Sequence, residues 1–160
     1  MCIRDRHRPE NVDDPAQLAR LLDALGHAPA PVLLPMHPRT RAHAPGPPPN
    51  VRVIDPVPYR DFLALLESCA LCVSDSGGVQ EEASVVKAPV IVVRRSTERP
   101  EVLGTFVELV SEIAALGGAI AAAVAESAAW RLRLREIPSP YGDGTAAAAT
   151  VEAIERHLAS

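Results

Sequence analysis

Short apolar runs alternate with segments of helical spacing along this chain, and that alternation constrains the fold more than any other feature. Four runs have the length of buried strands: "PVLLPMHP", "VRVID", "ALCVSD" and "PVIVVR". Helical segments lie between them, among them "DPAQLARLLDAL" and "PYRDFLALLESC". Strands that alternate with helices predict an α/β domain with a mostly parallel sheet that is covered on both faces.

Local signals predict where several elements begin and end. Asp14 and Pro15 form an N-cap and a first helical position, and Gly26 follows the last apolar residue of that helix. Residues 38–50 contain five prolines and one glycine, which predicts a surface loop with at most one helical turn.

The last third of the chain is rich in alanine and favours helices. The stretch "SEIAALGGAIAAAVAESAAWRLRLRE" is expected to be mostly helical, with a break or turn at Gly117 and Gly118. The "PSPYGDG" stretch predicts a loop, and "TAAAATVEAIERHLAS" predicts a terminal helix.

Composition limits the class of protein. A chain of 160 residues with 48% hydrophobic and 3% aromatic residues predicts one domain with an aliphatic core. A net charge of −4 without a block of one sign argues against nucleic acid as a partner. We find no signal peptide and expect no 18-residue apolar span, so we expect no membrane partner and a cytoplasmic location.

The three cysteines are interpreted as structural. They cannot all pair with one another, which agrees with a reducing compartment. Cys69 and Cys72 have the spacing of a redox motif or half a metal site, but they lead into a strand, where cysteine is a small buried hydrophobe. We therefore expect no metal site.

The stretch "SDSGGVQEEA" follows a buried strand and predicts an anion site. Ser76, Gly77 and Gly78 lie where strand becomes helix, so their backbone N–H groups are expected to be unsatisfied and to face outward. Parallel sheets bind ligands at the carboxyl ends of their strands. By itself the pattern is weak, because two glycines after a strand more often form only a tight turn.

Glu81 and Glu82 resemble the carboxylate pair of a glycoside hydrolase, but a helix argues against that role. Neighbouring residues on a helix point about 100° apart, so at most one of the two faces the crevice. Glu82 lies four residues after Gly78 and is our candidate for accepting hydrogen bonds from sugar hydroxyls.

Three arginines, Arg94, Arg95 and Arg99, follow the next strand, and at least one guanidinium is expected to face the same anion. Glu98 and Glu101 lie beside them and could be simple surface partners.

Two loop histidines, His7 and His37, are expected near the carboxyl edge of the sheet. Either could carry a proton or donate to a phosphate, although a lone loop histidine is usually only solvated.

Over roughly residues 7 to 155 the chain resembles the C-terminal half of the non-hydrolysing UDP-N-acetylglucosamine 2-epimerases. The resemblance lies in six motifs and their order: "HRPENVD", "MHP", "DPVPYRDFLALL", "SDSGGVQEEA", "PVIVVRRSTERPE" and "SPYGDGTAA". The resemblance implies the C-terminal, Rossmann-like domain of a glycosyltransferase-B-like fold, with a UDP-sugar bound between two domains. It also implies interconversion of UDP-GlcNAc and UDP-ManNAc, by elimination of UDP and its re-addition to a 2-acetamidoglucal. No cofactor is implied, and the complete enzyme is expected to be a homodimer.

The resemblance also implies roles for individual residues. The turn formed by Ser76, Gly77 and Gly78 resembles the diphosphate-binding turn, and Glu82 resembles the residue that accepts from the ribose hydroxyls. Arg99 resembles an active-site arginine. Two further matches are Phe62, beside the uracil, and His7, a catalytic histidine that contacts the diphosphate.

Two departures from the family pattern stand out. Lys87 lies where many relatives have glycine. The "MCIRDR" leader cannot replace the apolar strand that precedes "HRPEN" in relatives, so we expect residues 1–6 to lie outside the family domain, residues 7–160 to form the UDP-binding domain, and the first strand to be missing. A sheet without that strand would expose apolar edges and be poorly soluble.

The N-terminal domain of relatives, with their acidic catalytic residues, has no counterpart in this sequence. We therefore expect a fragment that is inactive alone. Alternatives are a hydrolysing UDP-GlcNAc 2-epimerase, a non-catalytic nucleotide-sugar-binding module and, less favoured because of "TERPE", half of a glycosyltransferase.

Overall fold

Six parallel strands form one sheet in the order β3-β2-β1-β4-β5-β6. The structure is a computed structural model and describes residues 2–3 and 14–159. The strands are β1 Cys2–Ile3, β2 Val32–Pro35, β3 Val51–Ile54, β4 Cys72–Ser74, β5 Val90–Val93 and β6 Val107–Val110. The predicted α/β class with a parallel sheet is confirmed. The "GTFVELV" stretch, unassigned from the sequence, supplies the edge strand β6.

Strand β1 occupies the centre of the sheet, so the expectation that the first strand is missing was wrong. Cys2 pairs with Leu33 of β2 and with Cys72 of β4, and Ile3 pairs with Val73. Strand pairing needs only backbone N–H and C=O groups, which two residues supply. Two apolar residues before a charged run are too short for a periodic signal. Because β1 fills the centre of the sheet, the expected gap is absent there, and the reason for expecting poor solubility no longer applies.

Helices connect the strands. They are α1 Pro15–Gly26, α2 Pro38–Arg41, α3 Tyr59–Ser68, α4 Gly77–Val86, α5 Ile113–Arg135 and α6 Ala146–Leu158, with a 3₁₀ turn at Pro100–Val102. Asp14 caps α1 as predicted, because its Oδ1 accepts from the Ala16 N–H at 2.9 Å. The single turn α2 agrees with the expectation for residues 38–50.

The core consists of two hydrophobic clusters, one on each face of the sheet. Strand β5 is buried throughout and divides between them: Ile91 and Val93 belong to one cluster, and Val90 and Val92 to the other. The first cluster contains residues of α1 and the first half of α5, among them Leu18, Leu22, Leu25, Leu116 and Ile120. The second contains residues of α3 and α4, among them Phe62, Leu66, Val79 and Ala83. Alternation along each strand thus covers both faces of the sheet.

Helix α5 runs unbroken through Gly117 and Gly118, so the expected break there was wrong. Leu116 and Ile120, on either side of the glycines, are fully buried. Their packing holds the helix through a pair of residues that each disfavour it by about 1 kcal/mol. The helix has 23 residues and a mean hydropathy of 1.5, which by length and composition alone would let it cross a membrane, contrary to our expectation of no such span. Here it packs on α1 and on strands β5 and β6.

The second half of α5 lies at the amino edge of the sheet. Trp130 Nε1 donates to Thr105 O at 2.6 Å, and an Arg131 guanidinium nitrogen donates to Cys69 O at 2.6 Å. Thr105 and Cys69 each precede the start of a strand. Helix α6 follows as predicted, and its residues are exposed. The second half of α5 therefore leaves the carboxyl edge, where the polar turns lie, uncovered.

Candidate functional site

The strand order reverses between β1 and β4. The chain builds outward from β1 to β3 and then returns to β4 on the other side of β1. In open α/β sheets, ligands bind at such a reversal, in the crevice outside the carboxyl ends of the strands. Helix α4 begins three residues after β4, so Ser76, Gly77 and Gly78 lie at this crevice, as the sequence predicted.

Ser76 is the N-cap of α4, and only part of the expected donor set is available there. The Ser76 N–H donates to Ser74 Oγ at 3.1 Å, which corrects the expectation that all three N–H groups are unsatisfied. The Ser76 side chain makes no capping hydrogen bond. Gly77 and Gly78 form the first turn, where N–H groups have no carbonyl four residues back, so they are the donors that can receive an anion.

The Glu98 carboxylate lies against the first turn of α4. A Cβ on Gly77 would collide with Glu98 Oε1, so glycine is what lets the carboxylate approach this closely. The other oxygen, Oε2, pairs with Arg94, whose side chain is 11% exposed. A carboxylate is favourable at a helix N-terminus, and Arg94 balances its charge. Glu98 is thus more than the surface partner that the sequence allowed.

Arg99 is held by α4. Its Nε donates to Glu81 Oε1, and one of its terminal nitrogens donates to the Glu98 carbonyl at 3.1 Å. The hydrogen bond to Glu81 raises the pKa of the Arg99 guanidinium above its ordinary value, and the nearby carboxylates act in the same direction. Arg99 therefore stays cationic and is anchored to α4 by Glu81.

The remaining predicted site residues are Glu82, Phe62, His37 and His7. Glu82 follows Glu81 on α4 and is partly exposed. Phe62 is 2% exposed and belongs to the hydrophobic cluster that also contains Val79 of α4. His37 lies just beyond β2 at the carboxyl edge, as expected, and His7 lies outside the described residues. The ligand contacts expected of Glu82, Phe62 and His7 stay predictions.

Two residues at the site were missed from the sequence. Gln80 is fully buried, and its Oε1 accepts from Thr97 Oγ1 at 2.6 Å. Thr97 Oγ1 in turn accepts from the Arg99 N–H at 3.0 Å. An amide side chain between Val79 and Ala83, on the apolar face of α4, was the available signal, because a buried amide needs partners.

The loop after α5 contacts the C-terminal end of α4. Ser139 Oγ lies 2.7 Å from Ser84 Oγ, and Lys87 Nζ donates to Ile137 O at 2.6 Å. Tyr141 Oη donates to Glu101 at 3.4 Å. Partial desolvation of Tyr141, which is 38% exposed, raises the pKa of its phenol, and the Glu101 carboxylate raises it further. The "PSPYGDG" loop is thus tied both to α4 and to the segment that carries Arg99.

Lys87, where the resemblance led us to expect glycine, adopts the left-handed αL conformation. Its φ is +58°, and it is the C-cap of α4. Besides its bond to Ile137 O, the ammonium lies 5.2 Å from the centre of the Phe106 ring. These contacts offset part of the strain of a side chain in the left-handed region.

A separate open cleft of about 860 Å³ lies between α1 and α5. It contains Arg20, Arg94 and Arg95 together with Asp23 and Glu112, and none of Ser76, Gly77 and Gly78. Its lining carries charges of both signs and does not include the glycine turn. Among residues 14–159 there is no group of three or more His, Cys, Asp or Glu side chains that could hold a metal ion.

Comparison with known proteins identifies the family of the chain. Residues 2–155 match the family model described as UDP-N-acetylglucosamine 2-epimerase, and the match begins inside the segment 1–6 that the sequence set apart. The chain is 39% identical over 154 residues to a UDP-2,3-diacetamido-2,3-dideoxy-D-glucuronate 2-epimerase of Pseudomonas aeruginosa, covering 91% of this chain and 42% of that protein. It is 34% identical over 110 residues to a UDP-N-acetylglucosamine 2-epimerase of Yersinia pestis, covering 68% of this chain and 29% of that protein.

A solved structure shows the same fold. The crystal structure of UDP-GlcNAc 2-epimerase from Neisseria meningitidis bound to UDP-GlcNAc superposes with a TM-score of 0.78 at 28% identity, over 97% of this chain and 44% of that one. The chain therefore spans less than half the length of the relatives it matches.

Proposed function

The chain belongs to the UDP-N-acetylglucosamine 2-epimerase family, and on that premise we propose that it is the UDP-binding part of a UDP-GlcNAc 2-epimerase. The observation that carries the proposal is the start of α4, where Gly77 and Gly78 open a helix at the reversal of strand order and cationic Arg99 is paired with Glu81 of the same helix. That arrangement suits a diphosphate, which would take the place of the Glu98 carboxylate against the first turn of α4.

The reaction explains why tight diphosphate binding is needed. Loss of the C2 proton and cleavage of the C1–O bond give a 2-acetamidoglucal and free UDP. Re-addition of UDP at C1, with a proton delivered to the other face of C2, gives the epimer. UDP must stay fixed while it is detached, and preorganised donors supply that fixation without further reorganisation.

In this proposal each residue has a separate contact. Backbone N–H groups of Gly77 and Gly78 bind the diphosphate, and Arg99 neutralises its charge. The Glu82 carboxylate accepts from the ribose hydroxyls. Phe62 supports the wall beside the uracil from within the core. His7 contacts the diphosphate and assists proton transfer.

A second substrate is favoured by one observation. The P. aeruginosa relative, which matches over 91% of this chain, is a UDP-2,3-diacetamido-2,3-dideoxy-D-glucuronate 2-epimerase. Its name describes the same C2 inversion on a UDP-sugar with a second acetamido group and a carboxylate. The UDP site described above is compatible with either sugar.

Calorimetry on the 160-residue chain tests the proposal. We expect UDP to bind weakly and uridine, which lacks the phosphates, to bind at least tenfold more weakly still. Equal affinity for the two would contradict a diphosphate site. We expect no turnover of UDP-GlcNAc by the chain alone, because the acidic catalytic residues implied by the family lie in the other domain, and measurable epimerisation would overturn that part.

Product analysis distinguishes the alternatives in a protein that joins this chain to the remaining domain of its relatives. UDP-ManNAc as product supports the non-hydrolysing epimerase, whereas free ManNAc with UDP supports the hydrolysing enzyme. Epimerisation of UDP-2,3-diacetamido-2,3-dideoxy-D-glucuronate alone supports the second substrate. No turnover, with UDP binding retained, supports a non-catalytic module.

A further inference from the structure

Gln80 connects the glycine turn to the segment that carries Arg99. We propose that it is a positioning residue, which sets the place of the Arg99 guanidinium relative to the first turn of α4 through Thr97. This inference rests on the proposed function, because it assigns Arg99 to the diphosphate. The side-chain contact between Gln80 and Thr97 is called the Gln80–Thr97 bridge below.

The bridge is part of a directional series of hydrogen bonds. Gln80 Nε2 lies 3.5 Å from the Ser76 carbonyl and donates weakly to it, and Gln80 Oε1 accepts from Thr97 Oγ1 at 2.6 Å. Thr97 Oγ1 accepts from the Arg99 N–H at 3.0 Å. The series therefore runs from the backbone of the glycine turn to the backbone of Arg99.

The contact with the Ser76 carbonyl favours one orientation of the Gln80 amide. Thr97 Oγ1 accepts the Arg99 N–H on one lone pair and donates its own proton to Gln80 Oε1. Reversing the amide would turn the Gln80 oxygen toward the Ser76 carbonyl, placing two acceptors together. The buried amide thus has a fixed orientation, which a residue that only fills space would not need.

Adjacent residues of α4 hold Arg99 at two points. Gln80, through Thr97, fixes its backbone, and Glu81 fixes its side chain through Nε. The backbone and the guanidinium of Arg99 are then both attached to α4, the helix whose first turn is proposed to bind the phosphates. The hydrogen bonds between a guanidinium and a phosphate oxygen depend on direction as well as distance. Attachment of Arg99 at two points fixes both, which favours binding of the diphosphate.

Three single variants of the full 160-residue chain, and the double variant Thr97→Val/Gln80→Met, test the proposal. Thr97→Val removes the hydroxyl and keeps the shape, while Thr97→Ser keeps the hydroxyl. Gln80→Met removes the amide at similar length. UDP affinity is measured by calorimetry, and the Arg99 Nε–H signal is followed by ¹⁵N NMR, after thermal unfolding has shown that each variant is folded.

We expect Thr97→Val and Gln80→Met each to raise the UDP dissociation constant about tenfold and to shift the Arg99 Nε–H signal, with Thr97→Ser close to the parent chain. The double variant should lose no more than either single change, because both remove the same bridge. UDP affinity unchanged in Thr97→Val would overturn the proposal. So would additive losses in the double variant.

The NMR signal separates this inference from the proposed function. If the parent chain binds no UDP, the diphosphate site is contradicted, yet the position of Arg99 is still measured. An Arg99 Nε–H signal that is the same in Thr97→Val and in the parent would then reject a positioning role for the bridge. If Gln80→Met does not fold, Thr97→Val and Thr97→Ser, at a partly exposed position, carry the test.

Discussion

Arg99 donates its Nε–H to the carboxylate of Glu81, which joins the segment after β5 to helix α4. Both side chains are about one-third to two-fifths exposed, at 34% and 41%, so solvent screens the pair and its direct contribution to stability is small. Its consequence is geometric, because the guanidinium is oriented before any anion arrives. Glu81 and its neighbour Glu82 then have different expected tasks.

Replacing each of the two glutamates by glutamine should separate those tasks. Glu81→Gln loosens Arg99 and is expected to weaken binding of both UDP and pyrophosphate roughly three- to tenfold, since both carry the diphosphate. Glu82→Gln should weaken UDP binding by a similar factor and leave pyrophosphate unchanged, because pyrophosphate has no ribose. Calorimetric titration of the two ligands against the two variants measures all four values. A loss of pyrophosphate affinity in Glu82→Gln would contradict the ribose assignment.

Substitutions at Lys87 separate the backbone strain of its left-handed conformation from the contacts that its side chain makes. Lys87→Ala keeps a Cβ in the left-handed region and loses the contacts to Ile137 and Phe106, whereas Lys87→Gly loses the same contacts but removes the strain. We expect the alanine variant to have a free energy of unfolding about 1 kcal/mol lower than the glycine variant. Urea denaturation of the two variants side by side measures the difference. Equal stability would show that residue 87 does not hold the left-handed conformation.

The continuity of α5 is tested at Gly118, which is exposed and whose Cβ would meet no atom within 4 Å. Gly118→Ala should raise the free energy of unfolding by about 0.5 to 1 kcal/mol, because alanine favours the helix and restricts the unfolded chain. Thermal unfolding is the measurement. Gly104→Ala is the matched control, since Gly104 has equally open space but a φ of +72°, and it should destabilise the fold. Destabilisation by Gly118→Ala would indicate a break in the helix.

The Tyr141 phenol should ionise at a higher pH than a free tyrosine. Its folded pKa is raised above the ordinary value near 10, first by burial and then by the Glu101 carboxylate. The fold therefore favours the neutral phenol: the resulting stability is fully present below pH 10 and is lost as the pH rises through the folded pKa. Phenolate absorbance in a Tyr59→Phe background, which leaves Tyr141 as the one tyrosine, follows the titration.

Glu101→Gln should lower the Tyr141 midpoint while leaving it above that of the denatured chain, because burial remains. Glu108→Gln, on strand β6, is the control and should have little effect. A Tyr141 that titrates like the denatured chain would show that neither partial desolvation nor Glu101 acts on the phenol.

Local patterns predicted most of the secondary structure. The capped start of α1, the single turn in residues 38–50 and the strands on either side of the glycine turn follow from neighbouring residues alone. Local patterns failed where distant packing decided the outcome. Strand β1 is too short to have a period and forms because two strands flank it, and α5 passes two glycines because Leu116 and Ile120 are buried.

The sequence by itself determined the parallel α/β class and the position of the glycine turn at a strand end, because both depend on patterns within a few residues. It also pointed to Arg99 among three arginines and to Glu82 rather than Glu81 as candidate site residues, and it missed the pairing of Arg99 with Glu81. Only the tertiary structure decided which of them pair. Glu81 lies 18 residues from Arg99, and Gln80 lies 17 from Thr97. Such contacts depend on how α4 and the segment after β5 meet at the sheet edge, which no local pattern encodes.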